Sequence, residues 1–162
     1  MTKSAAATGE RARTRFLPYD PGPLPTRPAP QRGDVIELAL DGVPPAKVHG
    51  SSMRNPTHPR YAAFADLRRA AISAMNGRAW YLGPVGLEVE VWVSERESKR
   101  SLLEYIGGIM DTLDGGHGLH FTYRPVVYED DCQIEISKMR LREGADHEHY
   151  HVRATFLPMD AA

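Results

Sequence analysis

The chain has 162 residues, about the length of one domain, and 41% of them are apolar, which is enough for one modest core. Its apolar runs are far shorter than the roughly 18 residues of a membrane-spanning helix, and the N-terminus lacks the apolar run of a secretory signal. The single cysteine, Cys132, excludes an internal disulfide. We therefore expect a soluble, cytoplasmic protein without a membrane partner.

The net charge of −1 is unevenly distributed along the chain. Residues 1–33 contain six basic and two acidic side chains, a charge of +4, which leaves −5 for the rest. Because the neutralisation of phosphates supplies most of the affinity of DNA-binding proteins, we expect a DNA contact first in this N-terminal segment. Arg11, Arg13 and Arg15 are the candidate residues there.

The same N-terminal segment is rich in proline. Six of the 13 prolines lie in residues 1–33, which show no apolar period, so we predict an extended arm. Composition leaves two interpretations open. The arm is either a disordered leader or a segment that becomes ordered against a protein partner or DNA. We place the folded domain at residues 34–162.

Apolar periodicity then predicts a strand, a helix and a second strand in chain order. Residues 35–40 form a mostly apolar run that ends at Asp41-Gly42, as in a strand followed by a turn. Residues 59–75 place large apolar side chains three to five positions apart, which indicates an amphipathic helix. Apolar and polar residues alternate in residues 85–93, the period of a half-buried strand.

A second helix is predicted from Ser101 to about Leu113, and it contains a pair of glycines. Ser101 and Glu104 have the spacing of a capping box, in which both side chains bond to backbone N–H groups at the helix start. Each glycine of Gly107-Gly108 costs roughly 0.5–1 kcal/mol relative to alanine inside a helix. We expect the pair to allow the close approach of another backbone.

Three further strands are predicted in the C-terminal part of the chain, at residues 126–128, 134–141 and 150–157. Glu129-Asp130-Asp131 separates the first two, and a polar turn at residues 142–146 separates the last two. The predicted order is β-α-β-α-β-β-β, which is an α+β fold with a mixed sheet and two helices.

Several segments are similar to sequence elements of the RusA-type Holliday-junction endonucleases. The run from Val127 to Ile134, with Asp130-Asp131-Cys132-Gln133 at its centre and Lys138 after it, resembles the family's Asp-Asp-x-Gln-Ile element. Upstream, residues 109–115 are similar to the end of the family's helix, and residues 42–47 resemble its Gly-x-Pro-x-x-Lys entry. The resemblance implies a RusA-like fold for the domain.

Members of this family are homodimeric, magnesium-dependent endonucleases that resolve four-way DNA junctions. They take metal ligands from an Asp-x-Asp-Asn at the start of the helix and from the second Asp of Asp-Asp-x-Gln, and a lysine from the first helical turns. Counted back from Asp111 without gaps, the two helix aspartates fall on Ser101 and Leu103, the asparagine on Glu104 and the lysine on Gly107. Asp131 matches the remaining ligand.

The resemblance makes Asp131, its neighbour Asp130 and Glu104 the candidate catalytic residues and magnesium ligands. Lys47 and Lys138 are the candidate DNA contacts of the domain. The alternative role of Glu104 is a helix cap, and that of the two aspartates is a turn between strands.

Other acidic residues bear on the same question. Glu95 and Glu97 have the carboxylate-x-carboxylate spacing, but their use as ligands requires about five inserted residues before the helix, and they also fit a solvated loop. Asp111 lies seven residues beyond Glu104, roughly 10 Å along a helix, which is too far for both to hold one ion.

Histidines recur near the C-terminal end. His147, His149 and His151 fall on one side of the last predicted strand, a spacing that can chelate zinc, although a solvent-facing edge is the interpretation we prefer. His117 and His120 are expected to be loop residues.

The loss of the Asp-x-Asp pair and of the helix lysine leads us to one principal hypothesis. It is a RusA-fold pseudonuclease, dimeric like the family, that acts as a binding or structural protein. The alternative is a diverged magnesium-dependent endonuclease that resolves Holliday junctions or other branched DNA. A third hypothesis is a module that holds junctions through its arginine-containing arm without cutting them.

Overall fold

The computed structural model describes residues 21–47, 52–95, 102–115 and 123–159. The elements are β1 (Val35–Asp41), α1 (Tyr61–Met75), β2 (Val85–Val93), α2 (Leu102–Leu113), β3 (Ile134–Glu143) and β4 (His149–Phe156), with a 3-10 turn at Asp131–Gln133 before β3. Within these ranges no helix has both the length and the apolar character needed to cross a membrane. The predicted α+β class is confirmed.

The four strands form one mixed sheet in the order β1-β4-β2-β3. Strand β4 pairs antiparallel with β1 and with β2, whereas β2 pairs parallel with β3. The sheet is therefore mixed, as the sequence predicts. Both helices pack on the same face, where Leu67 of α1 and Ile109 of α2 are completely buried against apolar side chains of the strands.

The prediction of a separate strand at residues 126–128 is wrong. Tyr128 makes an isolated bridge with Tyr81, and the backbone N–H groups of Val126 and Val127 both donate to the carbonyl of Leu113. Both valines and Tyr128 are buried. The run is apolar because it is buried against the end of α2, and the element order is β-α-β-α-β-β.

Residues 21–33, the described part of the predicted arm, lie along the domain. The N–H groups of Thr26 and Arg27 donate to the carbonyl of Gly77, just after α1, and the N–H of Gly33 donates to the carbonyl of Phe156 at the end of β4. Residues 1–20 lie outside the described residues, and with them the three candidate arginines Arg11, Arg13 and Arg15.

The glycine pair of α2 lies under the chain segment at residues 44–47, which we call the strap. A Cβ atom at Gly108 would lie 2.7 Å from the N atom of Ala46, and still closer to the carbonyl of Pro45. The N–H of Lys47 donates to the carbonyl of Glu104 at 3.0 Å. The expected close approach of another backbone is confirmed, and it fixes where the Lys47 side chain starts.

Candidate metal centre

Three aspartates meet beside the C-terminal end of α2. Asp111 lies in the last turn of the helix, and Asp114 is the first residue after the helix ends at Leu113. Asp131 belongs to the 3-10 turn before β3. One carboxylate oxygen from each lies within 4.8 Å of the others. We call this group the aspartate cluster. Asp111 and Asp114 share one side of the helix end because residues three apart are neighbours on a helix.

The position of Asp131 depends on the side chain of Gln133. Its Oε1 atom accepts hydrogen bonds from the N–H groups of Glu129 and Asp130, at 2.8 and 2.9 Å. Its Nε2 atom donates to the carbonyls of Tyr81 and Gly83, at 2.8 and 2.9 Å. The glutamine thus fastens the turn to the segment that leads into β2.

Asp130 completes this turn from the other side. Its Oδ1 atom accepts a hydrogen bond from the N–H of Cys132 at 2.9 Å, and together with Gln133 it forms a reciprocal capping box. The Asp130 carboxylate is therefore used as an N-cap of the 3-10 turn. It lies next to Asp131 in sequence but is not a member of the aspartate cluster.

Two cationic side chains border the cluster on different sides. The Nζ atom of Lys47 lies 3.4 Å from Oδ2 of Asp111, and its side chain is 67% exposed. The Nη2 atom of Arg54 lies 3.9 Å from Oδ1 of Asp114 and donates to the backbone carbonyl of Asp111 at 2.8 Å. Only 12% of the Arg54 side chain is exposed, so one cation faces solvent and the other is largely buried.

Burial and neighbouring groups raise the pKa of two of these carboxyl groups and of a nearby tyrosine. Burial, and then the negative charge of Asp111, raise the pKa of Asp114 to about 7, although Arg54 acts in the opposite direction. Desolvation and a hydrogen bond with Asp130 raise the pKa of Asp131. Burial, followed by the charge of Asp114, raises the pKa of Tyr128, whose hydroxyl donates to the carbonyl of Met110 at 3.0 Å. At Asp114 and Asp131 the neutral carboxyl form is thus favoured more than in a free side chain.

The chemistry of the cluster fits a hard divalent cation. Carboxylate oxygens are the ligands that Mg²⁺, Mn²⁺ and Ca²⁺ prefer. The Oδ1 atom of Asp114 is buried and accepts no hydrogen bond from the part of the chain that the structure describes. A buried carboxylate oxygen without a hydrogen bond is costly, and a cation would satisfy it.

In comparisons with known proteins, no family model and no curated protein matches this chain. The cluster must therefore be interpreted from its own residues.

Only some of the site residues predicted from the sequence lie at the aspartate cluster. Asp131 and Lys47 lie at the cluster, whereas Lys138 lies on β3 with its Nζ atom 3.7 Å from Oε1 of Glu88. Glu104 is in the first turn of α2 and Glu95 follows β2, and neither belongs to the cluster. Ser101 and Glu97 lie outside the described residues, so the predicted capping box is not tested.

Asp111 and Asp114 were not predicted as partners of Asp131. Asp111 had been weighed only against Glu104, two helical turns away at the other end of the helix. The signal was the Asp-x-x-Asp spacing at the helix end, which puts two carboxylates on one side. The spacing alone does not indicate a metal site. It does so only together with Asp131, whose turn lies beside this helix end in the structure.

The three C-terminal histidines lie around Trp92, and the expected edge position is wrong because β4 lies between β1 and β2. The rings of His149 and Trp92 are parallel with their centroids 4.5 Å apart, and those of His147 and His149 are 4.7 Å apart. Among the described residues, the groups with metal-binding geometry do not include them. His117 and His120 lie outside the described ranges.

Proposed function

We propose that the protein is a divalent-cation-dependent endonuclease of the RusA type that acts on branched DNA such as four-way junctions. The observation that carries this proposal is the aspartate cluster of Asp111, Asp114 and Asp131, with the Lys47 ammonium at its solvent side. It favours the nuclease over the pseudonuclease, because ligands at the end of α2 can replace the family aspartates missing from its start.

A cation bound at the cluster would lower the pKa of a water molecule and stabilise the leaving oxygen of a phosphodiester. The chain contributes the surroundings. The three carboxylates would hold the cation, and the largely buried Arg54 lies beside Asp114 and keeps the end of α2 in place through the Asp111 carbonyl. Lys47 provides positive charge on the side from which a phosphate can approach.

Branched DNA as the substrate rests on the RusA resemblance of the Asp130-Asp131-Cys132-Gln133 segment. The same resemblance supports a homodimer, in which two centres would act on two strands of one junction. The positive charge of the N-terminal segment supports additional, salt-dependent contacts with the DNA backbone.

A DNA-binding pseudonuclease is the second candidate. Lys47 and Arg54 already lie close to two of the three carboxylates, and such cations compete with a metal ion for the same oxygens. In this reading the cluster stabilises the fold, and the domain binds a junction or a protein without cutting.

A cleavage assay separates the two candidates. A labelled four-way junction is incubated with the protein in Mg²⁺ or Mn²⁺, and a gel shift in Ca²⁺ measures binding of the same DNA. We expect cutting that is lost in Asp114→Asn and Asp131→Asn. Asp66→Asn, which changes an exposed aspartate paired with Arg69, is the matched control and retains activity. Binding without cutting would support the pseudonuclease. If the protein neither binds nor cuts the junction, both DNA functions are rejected.

A further inference from the structure

The two cations at the aspartate cluster differ in what holds them. Arg54 is buried, donates to the Asp111 carbonyl, and its own carbonyl accepts a hydrogen bond from the Tyr123 hydroxyl at 3.2 Å. Lys47 is held by its backbone, through the hydrogen bond from its N–H to the Glu104 carbonyl, while its side chain stays 67% exposed. Arg54 is built in as a structural counter-charge, whereas the Lys47 ammonium can exchange its partner.

The Lys47 side chain passes over the glycine pair of α2. A Cβ atom added at Gly107 would lie 3.4 Å from Cδ and 3.5 Å from Cβ of Lys47, so the lysine stem occupies the space above this glycine. The strap thus carries the Lys47 stem across the helix surface at Gly107 and brings its ammonium group to Asp111.

We propose that Lys47 is the residue that contacts the scissile phosphate, and that Gly108 is a glycine because the strap must lie against α2 for the lysine to reach it. This inference rests on the proposed nuclease function. In the absence of substrate the ammonium pairs with the Asp111 carboxylate. When substrate binds, the ammonium turns to a non-bridging phosphate oxygen and offsets the charge that develops there.

Charge and exposure support this direction of movement. The Asp111 side chain is 20% exposed and the Lys47 side chain 67%, so the lysine lies on the outer side of the pair and meets an arriving anion first. An exposed ion pair of this kind contributes little to stability, so its partner can be exchanged at small cost. A lysine on a flexible four-carbon stem suits such an exchange.

The experiment measures single-turnover cleavage of a four-way junction at saturating DNA, together with Mn²⁺ affinity by titration calorimetry on the same full-length proteins. Lys47→Met removes the charge and keeps most of the stem, and Lys47→Arg keeps the charge. Arg69→Met is the matched control, since Arg69 is a basic side chain with 76% exposure, distant in sequence and paired with Asp66.

We expect Lys47→Met to reduce the cleavage rate by about 100-fold or more, as for the loss of a group that stabilises transition-state charge. Its Mn²⁺ affinity should stay equal or increase, because a competing cation has gone. Lys47→Arg should recover part of the rate, and Arg69→Met should match the parent protein.

The outcomes against the inference are distinct from those against the nuclease function. If the parent protein cleaves and Lys47→Met cleaves within about threefold of it, the lysine inference is wrong and the function stands. If Lys47→Met loses Mn²⁺ affinity in proportion to its rate, the lysine only supports the cluster. If the parent protein cuts no junction with either metal, the proposed function fails and the inference with it.

Discussion

The side-chain amide of Gln133 donates a hydrogen bond to the backbone carbonyl of Tyr81 at 2.8 Å. This bond joins the turn that carries Asp131 to the segment that enters β2, two parts of the chain 52 residues apart. The glutamine of the Asp-Asp-x-Gln element thus positions the turn of the candidate metal centre, and its side chain makes three further hydrogen bonds.

Replacing this glutamine should destabilise the protein and weaken the metal centre together. Gln133→Glu keeps two acceptor interactions, but it loses both donors and places a carboxylate against the carbonyls of Tyr81 and Gly83. We expect a loss of about 1–3 kcal/mol in the free energy of unfolding, measured by urea denaturation, with reduced Mn²⁺ affinity. Gln31→Glu, at an exposed position, is the control. An unchanged Mn²⁺ affinity in Gln133→Glu would contradict the positioning role.

The stability of the metal-free protein should fall as pH rises towards neutrality. The pKa of Asp114 is about 7 in the folded protein and near 3.8 in the unfolded chain, so the folded state binds more protons between these values. Its contribution to stability is complete below about pH 4 and is lost as pH rises through about 7. Urea denaturation in EDTA between pH 5 and 8 measures this slope.

Asp114→Asn provides the comparison for this pH dependence. The amide cannot titrate, so the difference in stability between variant and parent should grow in favour of the variant as pH rises. A parent protein whose pH dependence matches that of Asp114→Asn would show that Asp114 ionises normally.

A divalent cation should reverse the effect of pH. The metal binds the ionised carboxylates, so its affinity should increase as pH rises through about 7, and binding should release a proton near that pH. At a cation concentration 100 times the Kd, ligand linkage adds about 2.7 kcal/mol to the stability of the folded state. Thermal denaturation with and without Mn²⁺ tests this, and the control Asp66→Asn should show the same rise in unfolding temperature as the parent protein. If Asp131→Asn also shows that rise, the ion binds elsewhere.

The two glycines of α2 should respond differently to alanine. Gly107→Ala meets only the flexible stem of Lys47, so the higher helix propensity of alanine should stabilise the protein by up to about 1 kcal/mol. Gly108→Ala meets the backbone of Pro45 and Ala46, and displacement of the strap should cost about 1–3 kcal/mol. Equal unfolding midpoints for the two variants would show that the strap does not press on the helix.

The local fold could be predicted because its signals are local. The periods of α1 and β2, and the need for a close backbone approach at Gly107-Gly108, are properties of adjacent residues and of the elements they form. The segment at residues 126–128 was mistaken for a strand because a buried irregular run and a buried strand have the same apolar composition.

The candidate site could be predicted only in part because its geometry is not local. Asp131 was found from the Asp-Asp-x-Gln element, but its distance to Asp114 depends on how the end of α2 meets the turn before β3. Likewise, no sequence pattern indicates that Arg54 lies largely buried beside Asp114, where its charge opposes the rise in the pKa of that carboxyl group.

The origin of the three carboxylates has a consequence for the order in which the protein matures. Asp111 and Asp114 come from one helix end, while Asp131 comes from a turn 17 residues beyond Asp114 in the chain. On the proposed function, an ion bound here would be a reversible cross-link that closes a loop, and the unfolded chain offers no such arrangement of ligands. Its uptake would then follow the docking of the turn onto the helix and would report completed tertiary structure during refolding.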